Sequence, residues 1–192
     1  MLSRRKTQHT PEQPPQPDGL EIRNKANGDD RMEASLFFED LHVGDRWTSA
    51  DREITAEDVA DFAELTGDHD PLHTQQLSAA ASPFGGPVAH GLLGLSVLAG
   101  LSSEKPAVST LALVSISDWR FEAPIFFGDL VHVVTTVLGT ETHGRRAGRV
   151  RWLRQLVNQN NRVVQQGTFV TLVSTRARVQ RFSDRIGQNV SR

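Results

Sequence analysis

The chain of 192 residues is long enough for one domain with tails, and its 38% hydrophobic and 23% charged residues are ordinary for a soluble protein. Its formal net charge of -2 gives no reason to expect a nucleic-acid or membrane partner. Because cysteine and tyrosine are absent, disulfides, thiolate nucleophiles, cysteine-based zinc sites and phenolic acids are excluded. No apolar segment follows the basic residues near Met1, so a cytoplasmic location is expected.

Both ends of the chain are predicted to be tails. Residues 1–34 contain four prolines and no aromatic residue, too little apolar surface to offset the entropy lost on ordering. Residues 176–192 carry five arginines against one aspartate, which predicts a basic, solvated tail. One folded domain is therefore expected over residues 35–175.

The first elements of this domain are predicted to be a turn at Gly44, a strand near Trp47 and a helix. Thr55 and Asp58 stand three residues apart, the spacing of a capping box at a helix start. Gly67 is a residue that typically ends a helix. Between these ends, one helix face is formed by Val59, Phe62, Ala63 and Thr66.

A second helix is predicted over Val88–Leu101, after a Pro- and Gly-rich loop. It is apolar on nearly all sides, which places it in the middle of a core. Gly91, Gly94 and Gly100 each cost it about 1 kcal/mol relative to alanine. Close approach of another backbone is the expected compensation.

Four long strands are predicted after this helix, because Val, Leu, Thr and aromatic residues alternate with short turns. They span residues 110–121, 130–142, 149–158 and 163–174. A long antiparallel meander with one central apolar helix is an α+β architecture.

The loop after the first helix concentrates the chemically useful residues. Asp68 and His73 form a minimal proton-transfer pair at neutral pH, and Pro71 stiffens the loop between them. A polar loop that simply follows a helix is the alternative interpretation of the same composition.

A second cluster is His90-Gly91 at the head of the apolar helix. Unpaired N–H groups and the positive dipole end make such a position suitable for an oxyanion. The alternative is that Gly91 serves packing alone and that His90 is a buried, hydrogen-bonded histidine.

Taken together, these residues resemble the MaoC-like dehydratase family, the (R)-specific enoyl-CoA hydratases. The family's Ser/Thr-Gly-Asp, Asn-Pro-x-His and His-Gly motifs have their counterparts in residues 66–68, 70–73 and 90–91. Residues 120–129, RFEAPIFFGD, resemble the family's Arg-Phe-x-x-Pro-x-x-x-Gly-Asp turn. The resemblance covers most of residues 37–174 and leaves both tails unexplained.

The resemblance implies a hot-dog fold, a long helix wrapped by an antiparallel sheet, assembled as a homodimer without metal or cofactor. The substrate implied is an acyl-CoA or acyl-carrier-protein thioester lying in a tunnel near the dimer interface. Asp68 and His73 would share one water as acid and base, and the Gly91 N–H would stabilise the thioester oxygen. The implied substrate contacts are Thr66, Pro71 and His90.

Two positions depart from the family pattern and leave the substrate and the pH optimum open. Asp70 stands where asparagine is usual, and Gln75 stands where aspartate is common. His69 is an extra imidazole that we expect to be exposed. The basic run from Arg145 to Arg154 has two interpretations. It binds a phosphate or an acidic carrier protein, or it forms a solvated strand face.

The expected activity is hydration of a 2-enoyl thioester or dehydration of a 3-hydroxyacyl thioester. One alternative is a hot-dog acyl thioesterase, although thioesterases of this fold lack the combined pattern of Asp68, His73 and His90-Gly91. The other is a non-catalytic acyl-binding subunit, which the presence of both Asp68 and His73 disfavours.

Overall fold

The computed structural model describes residues 23–24, 35–74 and 81–178. The helices described are α1 (Ala56–Thr66), α2 (Pro71–Thr74) and α3 (Gly91–Glu104), with a 3₁₀ turn at Phe38–Asp40. The strands described are β1 (Arg23–Asn24), β2 (Asp45–Thr48), β3 (Arg52–Glu53), β4 (Thr110–Phe121), β5 (Leu130–His143), β6 (Ala147–Asn158) and β7 (Val163–Ser174).

Helix α1 begins and ends as its sequence predicts. The Thr55 hydroxyl accepts the Asp58 N–H at 3.0 Å, and the Asp58 carboxylate accepts the Thr55 N–H at 2.9 Å. Gly67 ends the helix in the left-handed conformation, with φ 76°. A cap of this kind typically contributes about 1 kcal/mol.

The capping carboxylate makes this contribution dependent on pH. Partial burial opposes ionisation of Asp58, but hydrogen bonds from Thr55 and Arg52 outweigh it and hold its pKa below the usual range. Because the folded-state pKa is lowered, the stabilisation is present above the carboxyl's ordinary pKa. It is lost as pH falls through the lowered value.

The sheet has the strand order β1-β2-β5-β6-β7-β4, and the short strand β3 also pairs with β5. All pairs are antiparallel except β1 with β2. The four long strands confirm the predicted segments, with small extensions at His143 and Ala147.

The predicted simple meander is wrong at β4, which pairs with β7 at the edge of the sheet instead of with β5. The physical reason lies in residues 122–129, which cross the head of α3 instead of forming a hairpin. There the Ala89 N–H donates to the Ile125 carbonyl at 2.8 Å, and Val88 forms an isolated bridge with Phe126.

The sheet wraps around α3, as the hot-dog fold predicts, and the core lies between them. The helix buries Leu93, Val97, Leu98 and Leu101 against the inner face of the long strands. It begins at Gly91, three residues later than predicted, and it is not buried on all sides, because Leu92 is 59% exposed. None of the described helices is long and apolar enough to cross a bilayer.

The glycines of α3 make room for side chains, whereas the sequence predicted a close backbone. A Cβ on Gly94 would collide with the Gln165 amide nitrogen and lie 2.7 Å from the Ile125 side chain. A Cβ on Gly91 would lie 2.8 Å from the Phe121 ring. No packing reason accounts for Gly100, where a Cβ would meet no described atom within 4 Å.

The predicted tails, 1–34 and 176–192, lie mostly outside the described residues. Within the first, Arg23–Asn24 form the short strand that pairs with β2. Within the second, the Arg176 guanidinium bonds both carboxylate oxygens of Asp40, at 2.6 and 2.7 Å. Arg23–Asn24 and Arg176 thus contact the domain, and the two predicted tails stay predictions over the rest of their length.

Candidate active site

The loop that carries Asp68 is shaped by its own backbone hydrogen bonds. The Asp68 N–H donates to the Thr66 hydroxyl at 3.3 Å, and the Asp70 N–H donates to the Asp68 carboxylate at 3.4 Å. The Asp70 carboxylate accepts the Leu72 N–H at 2.8 Å, so Asp70 caps α2. An asparagine oxygen could accept the same bond. Asp68 itself is left 54% exposed.

His73 has its ring fixed by a backbone carbonyl. Its Nδ1 lies 2.7 Å from the Val88 carbonyl oxygen. Because a carbonyl can only accept, Nδ1 must carry the proton in this bond. In the neutral ring, Nε2 is then free to accept a proton from a substrate or a water.

His90 is buried, with 2% of its side chain exposed, and it contacts both Asp68 and His73. Its Nε2 donates to the Asp68 backbone carbonyl at 2.9 Å. Its ring packs against those of His73 and Phe62 in tilted arrangements, with centroids 4.0 and 5.1 Å away. The contacts of His90 therefore orient both members of the predicted catalytic pair.

These contacts bring Asp68, His73 and His90 into one cluster. One carboxylate oxygen of Asp68 and one nitrogen of each histidine lie within 4.8 Å of one another. A single water could be held between the carboxylate and the His73 nitrogen. Two imidazoles and a carboxylate are also a donor set that suits a divalent transition metal.

Gly91 is the first residue of α3, directly after the cluster. Its N–H has no acceptor within the helix, as is usual at a helix start, and no other described residue accepts it. The missing side chain makes room for the Phe121 ring, which would lie 2.8 Å from a Cβ at this position. A partly negative oxygen would find a donor and a favourable helix dipole here.

A cavity of about 310 Å³ opens beside these groups. His73 and Gly91 form part of its wall, and Phe121, Ile125 and Gln165 form much of the rest. A mostly apolar cavity with a few polar groups at one end is typical of a small-molecule site.

The predicted site residues do not all line this cavity. His73 and Gly91 do, whereas Asp68, Thr66, Pro71 and His90 do not. The substrate contacts predicted for Thr66, Pro71 and His90 stay predictions. The Thr66 hydroxyl instead donates to the Phe62 carbonyl at 2.6 Å. Thr66 and His90 each form a hydrogen bond with the Asp68 backbone.

Sequence reasoning missed the polar wall residue Gln165. Its Nε2 donates to the Gly91 carbonyl at 3.0 Å, while its Oε1 is buried without a partner among the described residues. A polar residue in a strand can face either side of a sheet, so no signal marked it. Phe121 and Pro124 could have been found, because they belong to the segment 120–129 that carried the family resemblance.

The remaining sequence predictions concern polar residues around the site. His69 is exposed, as expected, with its Nε2 4.0 Å from Glu64. In the basic run, Arg145, Arg146, Arg149 and Arg151 are exposed, whereas Arg154 is not. Gln75 lies outside the described residues.

Comparisons with known proteins agree with this architecture. Residues 39–158 match the family model described as MaoC-like domain. Over 113 residues the chain is 36% identical to 3-hydroxybutyryl-CoA dehydratase of Methylorubrum extorquens, covering 58% of this chain and 70% of that protein. Over 98 residues it is 35% identical to (R)-specific enoyl-CoA hydratase of Aeromonas caviae, covering 50% of this chain and 70% of that protein.

A solved structure supports the fold independently of close sequence similarity. It is a protein of Mycobacterium tuberculosis described as having a double hot-dog fold, with a TM-score of 0.66 and 21% identity. The match covers 73% of this chain and 44% of that one. On the family model and these relatives together, the chain belongs to the MaoC-like domain family.

Proposed function

We propose that the protein is a hydro-lyase that adds water to a 2-enoyl thioester or removes it from a 3-hydroxyacyl thioester. The proposal rests on the arrangement of an acid, a base and a backbone N–H donor. The Asp68 carboxylate and the His73 imidazole lie in one cluster, and His73 and Gly91, whose N–H has no acceptor among the described residues, line the same cavity. The named relatives, one a dehydratase and one a hydratase, act on thioesters of this class.

In hydration, Asp68 and the His73 Nε2 hold one water and remove a proton from it. The water oxygen then forms a bond to Cβ of the enoyl group, and the electrons of the double bond move toward the thioester carbonyl. The Gly91 N–H stabilises the resulting negative oxygen, which typically contributes about 3 kcal/mol. A proton returned to Cα completes the addition, and dehydration runs the same steps in reverse.

These steps move only protons and one water, so the proposed mechanism needs no redox cofactor. Positioned acid–base groups typically give about 10²- to 10⁴-fold acceleration. We propose an acyl-CoA or acyl-carrier-protein thioester as the substrate, and the names of the two relatives support the CoA form. We also propose that residues 35–175 form the catalytic domain, with no nucleic-acid or membrane partner, and that the protein is cytoplasmic.

The activity is tested by following two products of the same incubation. A hydratase lowers the absorbance of the conjugated enoyl thioester without releasing thiol, whereas a thioesterase releases free thiol. We expect loss of enoyl absorbance and no thiol release across a panel of enoyl-CoA thioesters. Thiol release would favour the thioesterase alternative, and binding without either change would favour the non-catalytic alternative.

We further propose that the protein is a homodimer, because β4 leaves a long sheet edge without a partner among the described strands. Every described position of this twelve-residue strand except Trp119 is exposed, including the apolar residues Leu111, Leu113, Val114 and Ile116. An exposed, apolar strand edge is a template for pairing with a second chain.

Light scattering at micromolar concentration is expected to give the mass of a dimer. Replacing both Leu113 and Ile116 with aspartate should shift the mass toward that of a monomer, because charged groups would be buried in the interface. Val43→Asp is a matched control, since Val43 is 46% exposed and lies away from β4. A monomeric mass for the unaltered protein would contradict the proposal.

A further inference from the structure

Arg154 points into the interior of the domain, unlike the other arginines of the basic run. It lies on β6 between Trp152 and Leu156, two apolar residues of the same strand face that are 1% and 0% exposed. Its guanidinium carbon is 4.6 Å from the centre of the Phe169 ring and 5.8 Å from that of Trp152. The cation is therefore held against aromatic rings on the inner face of the sheet.

No described residue neutralises this cation. The ion pairs among the described residues do not include Arg154, and its buried Nε has no hydrogen-bond acceptor. Burial lowers the pKa of Arg154 to about 10, so the group remains charged at neutral pH. A buried charge without a partner is costly, and natural proteins pair such charges or use them to bind a ligand.

Two further buried polar groups, which have no hydrogen-bond partner within the described ranges, lie near Arg154. Thr135 is its register partner on β5, and the Thr135 hydroxyl makes no hydrogen bond to a described residue. Gly167 is its register partner on β7, and Trp119 covers this glycine: a Gly167 Cβ would lie 3.1 Å from the Trp119 Cα. The indole Nε1 of Trp119 is also buried, and no residue in the described part of the chain accepts its hydrogen.

Trp119 reaches this position through an irregularity of β4. The register with β7 shifts between Ser117 and Arg120, and Asp118 there has φ 54°. Such bulges re-aim a side chain and are common beside active sites. The guanidinium, the indole and the hydroxyl thus form one row across the sheet, with N–H and O–H groups available to an acceptor.

The next row of the same sheet face is the wall of the cavity. There Gln165 of β7 pairs with Leu156 on one side and Phe121 on the other, and Gln165 and Phe121 line the cavity. Gln165 and Gly167 are two residues apart on one strand, which corresponds to about 6.7 Å. The row that contains Thr135, Arg154 and Trp119 therefore lies next to the row that lines the cavity, two residues further along the strands.

We propose that Arg154, together with Trp119 and Thr135, binds a carboxylate at the far end of the substrate's acyl group. The preferred substrate is then a 2-enoyl or 3-hydroxyacyl thioester whose acyl chain ends in a carboxylate. This inference rests on the proposed hydro-lyase function and specifies its substrate class. A carboxylate fits because a guanidinium can donate two parallel hydrogen bonds to it, and the single negative charge balances the single cation.

The test compares pairs of trans-2-enoyl-CoA thioesters of equal chain length, one ending in a carboxylate and the other in a methyl group. We expect kcat/KM of the unaltered protein to favour the carboxylate by on the order of tenfold or more, the range for a hydrogen bond to a charged group. Arg154→Met should abolish or reverse this ratio. Arg151→Met is the matched control, since Arg151 is an exposed arginine of the same strand, and it should leave the ratio unchanged.

Arg154→Met replaces a partly buried charge, which has no partner among the described residues, with an apolar side chain, so thermal unfolding should show a folded and no less stable protein. The preference of the unaltered protein is independent of any variant, and a preference for methyl-terminated substrates would overturn the inference. An identical ratio in the unaltered protein and in Arg154→Met would also overturn it. If neither series is hydrated, the proposed function fails instead, which keeps the two failures distinct.

Discussion

Replacing Asp68 with asparagine is expected to lower kcat for hydration of a short enoyl thioester by at least about 10², the lower range for acid–base catalysis. Asparagine keeps the shape and hydrogen-bonding capacity of the side chain but cannot accept a proton from the water. KM should change little, because Asp68 does not line the cavity that would hold the acyl group. Steady-state kinetics across the enoyl thioester panel provide the measurement.

Asp70→Asn is a matched control, since it makes the same chemical change two residues away. Asp70 caps α2 through the Leu72 N–H, and asparagine can accept the same hydrogen bond. Its kcat should therefore stay within a few-fold of that of the unaltered protein. Equal losses in Asp68→Asn and Asp70→Asn would point to damage of the loop and not to a missing base.

Gly91→Pro is expected to lower kcat by about 10² to 10³ relative to Gly91→Ala, the usual loss for one oxyanion donor. Proline is well tolerated at the first position of a helix, because the N–H there has no acceptor within the helix. His90 precedes it with φ -56° and ψ 134°, a conformation that a following proline permits. The substitution therefore removes the N–H while preserving the helix start.

Gly91→Ala isolates this effect, because it adds a Cβ but keeps the N–H. The added Cβ would lie 2.8 Å from the Phe121 ring. Gly91→Ala should therefore raise KM several-fold relative to the unaltered protein, because the ring must shift. Phe121 is 56% exposed and has room to move. If Gly91→Pro and Gly91→Ala have the same kcat, the backbone N–H is not the oxyanion donor.

The sequence predicted the elements whose signals are local. The Thr55–Asp58 capping box, the stop at Gly67 and the four long strands all depend on residues close together in the chain. The pairing of β4 with β7 could not be predicted in this way, because it depends on how residues 122–129 cross the head of α3.

The candidate site was predictable to a similar extent. The loop of Asp68 and His73 and the helix start at Gly91 are continuous in sequence, so motif spacing located them. The interior row around Arg154 combines residues from three distant strands, and its significance lies in missing partners, which a sequence does not display. The predicted substrate contact of His90 stays a prediction, and its burial and its bond to Asp68 were not visible in the sequence.

The central claim is that Asp68 and His73 handle one water as a unit, and kcat for enoyl thioester hydration tests it most directly in four proteins. These are the unaltered protein, Asp68→Asn, His73→Gln and the double variant. Each single change is expected to lower kcat by at least about 10², and the double variant should be barely worse than either, since groups that act as a unit are not additive. If both single variants stay within a few-fold of the unaltered protein, the mechanism is contradicted.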